Sequence, residues 1–145
     1  MISTKLFDIN MFLRKSLKNV RNVIKCKQKG LPLKLVFLCD VDIDSIPAGT
    51  KFSHPFSICI NAGAKIGKHC DIRQGVTLGG REPYNTLIHE KIVIGDNVFI
   101  GCNSSILGNV KIGNNVIVGA HALVLADVPD NTTVTGVWKR HGQNK

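Results

Sequence analysis

The sequence predicts an all-β domain of short, flat strands turned at sharp corners, preceded by one amphipathic helix. Three observations carry this: aliphatic residues recur at every sixth position through most of the chain, glycine or asparagine follows them where corners would fall, and the first thirty residues repeat at three and four instead. The 145 residues make one domain of ordinary size. With 43% hydrophobic and 20% charged residues the chain is neither disordered nor fibrous, and no apolar run approaches the ~20 residues of a membrane-spanning helix.

The helix comes first. Leu6, Ile9, Leu13, Leu17, Val20 and Ile24 step by three or four, the spacing that lines one helical face, and Gly30 and Pro32 stop it. The same stretch holds Lys5, Arg14, Lys15, Lys18, Arg21, Lys25, Lys27 and Lys29 against the single acid Asp8. The net charge of +9 therefore resides mostly in this arm, and the nearly neutral body argues against a nucleic-acid-binding fold. Residues 1–30 read as a basic amphipathic arm and 31–145 as the body with its C-terminal cap. The stripe has two readings: it packs on the domain or on a neighbouring subunit, or it lies on an anionic membrane surface. Five cysteines, odd in number and without a C-x-x-C pair, suggest neither a disulfide framework nor a zinc ribbon, and a reducing cytoplasm is the simplest compartment. The N-terminus lacks the compact apolar segment and cleavage site of a secretory signal.

In the body, Ile60, Ile66, Ile72 and Leu78 form one run of sixes, and Ile94, Ile100, Ile106, Ile112, Val118 and Val124 a second. Four places after these lie smaller or β-branched residues: Ala64, Cys70, Val76, Val98, Ser104, Val110, Val116, Ala122 and Val128. Neither a helix nor an alternating strand has this period, whereas stacked coils with one larger and one smaller inward position per straight segment do. Gly67, Gly95, Gly101, Gly113 and Gly119, with Asn97, Asn109 and Asn115, suit corners that need left-handed or crowded backbone. The two runs are out of phase by four residues, so the polar segment Gly80 to His89 reads as a projecting loop. The chain is expected to leave the repeat at Pro129 and cap the open coil, with His141 to Lys145 frayed.

On this pattern the chain resembles the hexapeptide-repeat acyltransferases, which implies a left-handed parallel β-helix, an exception to the right-handed crossover rule. Around His54-Pro-Phe-Ser-Ile-Cys-Ile60, Gln74-Gly-Val-Thr-Leu-Gly-Gly80 and Ile88-His-Glu-Lys-Ile92 the resemblance narrows to serine acetyltransferases and related sugar and polysaccharide O-acetyltransferases. It implies acetyl-CoA as acyl donor, no metal, and a homotrimer with coenzyme A between adjacent subunits. It implies His54 as the base that takes the acceptor's hydroxyl proton, His89 as a second histidine that polarises the acceptor across the subunit seam, and Asp44 as the acid orienting His54. Asp44 lies several residues closer to its histidine than in the family, and Asp40 and Asp42 stand as alternatives. Gly79, Gly80, Gly101, Cys102, Gly119 and Ala120 match the coenzyme A groove, and Arg140 a basic residue that meets its phosphates. Trp138 stands where the family has proline. His69 and His121 fall at outward corner positions.

Two other chemistries fail on spacing. Gly63-Ala-Lys-Ile-Gly-Lys-His69 has one residue too few between its glycines for a phosphate-binding loop, and the histidines lack the five-residue spacing of the fold's zinc hydratases. For the acceptor, the family's serine-specific members carry an acid before the first histidine and an arginine before the second. Here those places hold Ser53 and Ile88, neither of which clamps a zwitterion. The expectation is therefore a sugar or polysaccharide-precursor hydroxyl, with the arm placing the enzyme near membrane-bound glycan assembly. L-serine and a non-catalytic assembly module are the alternatives.

Overall fold

The computed structural model describes residues 2–61, 63–80 and 92–139, with side chains from residue 16 onward. Helix α1 (Ile2–Lys29) ends as expected at Gly30, whose φ of 67° lets the chain turn back. The Leu31 amide donates to the Cys26 carbonyl at 2.8 Å and the Gly30 amide to Lys27 at 3.3 Å. Cys26 and Leu31 are both buried, so this helix end is tied into the core by an apolar contact as well as by hydrogen bonds. A short helix α2 (Lys34–Leu38) follows, burying Leu35.

The chain then winds. The lower strands are β1 (Asp40–Val41), β2 (Lys51–Ser53), β3 (Cys59–Ile60), β4 (Lys65–Ile66), β5 (Asp71–Arg73) and β6 (Thr77–Gly79), with a 3₁₀ turn at Ile43–Ser45. The upper ones are β7 (Val93–Ile94), β8 (Phe99–Ile100), β9 (Ser105–Leu107), β10 (Lys111–Ile112), β11 (Ile117–Val118), β12 (Leu123–Val124), β13 (Thr133–Val134) and β14 (Val137–Trp138). All pair in parallel, on three faces of a prism: a six-strand face β1-β3-β6-β9-β12-β14, a five-strand face β2-β5-β8-β11-β13, and a three-strand face β4-β7-β10.

Register explains the sixfold period. Partners such as Ile60 and Leu78, Ile100 and Val118, or Ile106 and Val124 lie three hexads apart, one full coil. All ten repeat aliphatics and all nine smaller inward residues are buried, Ser104 satisfying its hydroxyl on the Gly101 carbonyl at 2.8 Å. A single rung cannot hide its inner side; the stack can, and each inward isoleucine contributes roughly 1.5–3 kcal/mol by leaving water.

The corners divide the labour differently from the sequence reading. Asn97 and Asn115, joined by Asn131, do adopt left-handed φ of 55–57° and stack through side-chain amides, Asn97 donating to Asn115 and Asn115 to Asn131. At the Asn109 corner, however, the left-handed residue is Gly108 (φ 94°). Gly67 is required by crowding: a Cβ there would sit 2.3 Å from the Gly95 carbonyl oxygen of the next coil.

Two further expectations are corrected. The chain does not leave the repeat at Pro129: Val128 bridges to Ile112, and β13 and β14 extend two faces by a shortened last coil. Pro129 lies just past the paired Val128, at a corner, where a missing amide proton takes nothing from the stack. The apolar stripe of α1 does not pack on the domain either. Leu17, Val20 and Ile24 are 69%, 56% and 51% exposed, while the side holding buried Cys26 faces the body. Polar bonds complete that docking: Lys25 pairs with the Asp44 carboxylate, and Lys29 Nζ donates to the carbonyls of Ile43 (2.8 Å), Asp44 (3.2 Å) and Ile46 (2.7 Å).

Candidate active site

The first full coil is two residues longer than the standard one, since Lys51 pairs with Asp71. Ser53 is level with Arg73 and Cys59 with Thr77, so the surplus falls at the corner that contains His54 and Pro55. There the backbone bulges outward. His54 takes a left-handed φ of 55° at a cost of about 1 kcal/mol, an expense the coil tolerates because bonds on both sides hold the corner. The Ser57 amide donates to Leu38 and the Gly75 amide to Phe56, each at 3.0 Å. The result is an imidazole in solvent beside Phe56, which is 62% exposed.

Directly above this bulge the same corner repeats. The Asn103 amide donates to Gln74 and the His121 amide to Cys102, at 3.0 and 2.9 Å, so Gly101-Cys102 and Gly119-Ala120 form a column of small residues over His54. Gly79 and Gly80 lie across the six-strand face, at its opposite edge. Between the two edges the outward row is Cys59, Thr77, Ser105 and Leu123, in register with one another. Gly101 is demanded by stacking, with a Cβ 2.5 Å from the Ala120 nitrogen, whereas at Gly79 the nearest atom would be 3.6 Å away. Packing therefore accounts for Gly101 but leaves the bare backbone at Gly79 unexplained.

The described strands stop at the Gly79–Gly80 corner and resume at Ile92; the expected projecting loop lies outside the described residues. His89 falls in that interval and Arg140 beyond Lys139, both outside the described residues. Asp44 sits in the 3₁₀ turn, and Lys25 holds its carboxyl below the usual carboxylate range, chiefly through their hydrogen bond. Asp42 caps that turn by accepting from the Asp44 amide at 3.1 Å, and Asp40 lies in β1 beneath Cys59. Among the described residues no hydrogen bond joins His54 to any of the three.

One charged residue of the site neighbourhood escaped the linear reading. Arg73 stands level with Ser53, the residue before His54, one strand away on the five-strand face. Its guanidinium meets Asp71 at 3.1 Å and lies 5.2 Å over the Phe99 ring, while its Nε is buried without a partner. Only register shows this; the signal in the sequence was a cation at an outward hexad position.

The model of the bacterial transferase hexapeptide repeat, six repeats, matches residues 91–126. Residues 91–126 thus carry the hexapeptide repeat of that family. It is 45% identical over 84 residues to a serine acetyltransferase of Staphylococcus epidermidis, a match covering 58% of this chain and 38% of that one. It is similar to the solved serine acetyltransferase of Neisseria gonorrhoeae in complex with serine, at 40% identity and a TM-score of 0.55, covering 61% of this chain and 35% of that one. A serine acetyltransferase in complex with CoA matches at 31% identity and a TM-score of 0.58, over 70% and 40% of the two chains. The chain thus spans less than half the length of these relatives. The likeness makes the prism a left-handed β-helix, as the resemblance implied.

These relatives overturn the expectation of a sugar or polysaccharide acceptor, and with it the role in glycan assembly. The physical reason is that the argument against serine rested on the residues adjoining each histidine in sequence. On a β-helix a residue's neighbours also come from the next coil, where Arg73 lies level with Ser53.

Proposed function

We propose that this chain is an acetyl-CoA-dependent O-acetyltransferase whose acceptor is L-serine. The observation that carries the reading is the two-residue bulge presenting His54 at the foot of a small-residue column, on a scaffold similar to serine acetyltransferases.

The thioester arm runs along the column, with Gly101, Cys102, Gly119 and Ala120 offering backbone groups at close range, while Gly79 and Gly80, at the opposite edge of the face, reach it from a second copy; the room left at Gly79 fits such an arm. His54 takes the proton from the serine hydroxyl as its oxygen attacks the thioester carbonyl carbon. The tetrahedral intermediate then expels the sulfur, and the imidazolium returns its proton to the thiolate, leaving O-acetylserine and free coenzyme A. Asp44, an exposed carboxyl that Lys25 pushes further below the usual carboxylate range, is ionised at neutral pH, the state required of a group that stabilises an imidazolium. Arg73 supplies the cation for the serine carboxylate, and Arg140 one for coenzyme A phosphates.

His54 stands at one edge of the six-strand face, and Gly80, the last described residue before the interval that contains His89, stands at the other. A site using both is completed by a second copy, and in a trimer each seam brings one copy's bulge against another's loop.

Thiol release from acetyl-CoA tests the assignment. A serine-dependent rate that falls about a hundredfold or more in His54→Ala supports the base. An unchanged rate, or one obtained with sugars and not with serine, overturns it. Arg73→Gln is expected to raise the KM for serine more than it lowers kcat.

A further inference from the structure

Helix α1 carries a surface that neither the fold nor the proposed reaction uses. Leu17, Val20 and Ile24 lie about 150° around the helix from Cys26, the side chain that faces the body, so the stripe points away from the prism. The same spacing runs back in the sequence through Leu13, Ile9 and Leu6. Twenty-eight residues make a rod about 42 Å long, and among the described side chains Cys26, Lys25 and Lys29, all at its C-terminal end, bind it to the body.

Charge selects the occupant. Between Ser16 and Gly30 there is no acid, and Lys18, Arg21 and Lys27 are exposed. By helical angle Arg21 flanks the stripe on one side and Lys27 on the other. A second copy laid against this face would set cation against cation. A surface of phosphate headgroups over hydrocarbon satisfies both components, taking the aliphatic side chains into the acyl boundary and the cations at the headgroups. No helix among the described residues is long and apolar enough to cross a membrane, so the contact is one of lying on the surface.

We infer that α1 is a docking helix for an anionic lipid surface, bound through Leu17, Val20 and Ile24 and the flanking Arg21 and Lys27. The placement of Lys25 and Lys29 against the body leaves them out of this contact and ties the enzyme's base to the anchored helix.

Flotation of the full chain with vesicles tests it independently of any acetyl transfer. The chain is expected to float with equal parts phosphatidylcholine and phosphatidylglycerol, to stay behind with phosphatidylcholine alone, and to be released by raised salt. Leu17→Asn, Val20→Asn and Ile24→Asn together should abolish flotation. Because these residues are already exposed, the fold keeps its core. Arg21→Gln and Lys27→Gln should each weaken binding about fivefold. Absence of flotation, equal flotation with neutral vesicles, or undiminished flotation of the stripe variant overturns the inference. So does light scattering in which the stripe variant falls to a smaller assembly, since the stripe would then be a seam between copies.

Discussion

At the scale of single residues, His54 and the glycines of the column separate chemistry from packing. Left-handed φ does not by itself mark His54, since exposed His69 and His121 take φ of 57° and 58° at corners of ordinary size; what sets His54 apart is the two-residue surplus of its own corner. Gly101 and Gly79 provide the converse comparison. Gly101→Ala forces a Cβ against the next coil's backbone and is expected to cost about 1–3 kcal/mol, read as a lowered Tm. Gly79→Ala should leave Tm nearly unchanged and raise the KM for acetyl-CoA instead. Equal Tm losses for both would assign Gly79 to the scaffold.

At the scale of elements, α1 is docked by a few polar bonds around Cys26. The Asp44 carboxyl titrates lower in the folded protein than in the unfolded chain, because Lys25 favours its ionised form. The pairing therefore contributes fully above about pH 5 and is lost as pH falls through the folded value. Amide exchange in the last turns of α1 should quicken at pH 3 relative to pH 7, beyond the intrinsic change. Asp44→Asn should reproduce that loosening at pH 7 and also lower kcat with a shifted pH profile. Lys25→Met should loosen the helix alone, so a matching loss of kcat in Lys25→Met would show that Asp44 acts only by holding α1. The arm's helical character was legible from its spacing of threes and fours, and its end from Gly30. Which side would face the body was not, since the outward stripe is the more apolar one and the docking rests on Cys26 and two lysines.

At the scale of the whole molecule, the proposed site needs two copies. Mixed assemblies of His54→Ala and His89→Ala subunits, each inactive alone, are expected to regain activity, because some seams then pair an intact bulge with an intact loop. Failure of such mixing, or a monomer by light scattering that retains the rate, would place both groups in one chain's reach.

The sixfold spacing by itself determined the prism and its inward positions, because every coil repeats one local requirement: two small or aliphatic side chains inward and a corner that turns. That information is contiguous in the chain. What the tertiary structure alone decided is which residues become neighbours across coils. The surplus pair at the His54 corner, Arg73 level with Ser53, Lys25 on Asp44, and the continuation of strands past Pro129 all depend on register between segments twenty or so residues apart. Parallel stacking sets that register through backbone hydrogen bonds, which every residue offers alike, so no pattern of side chains announces it in advance.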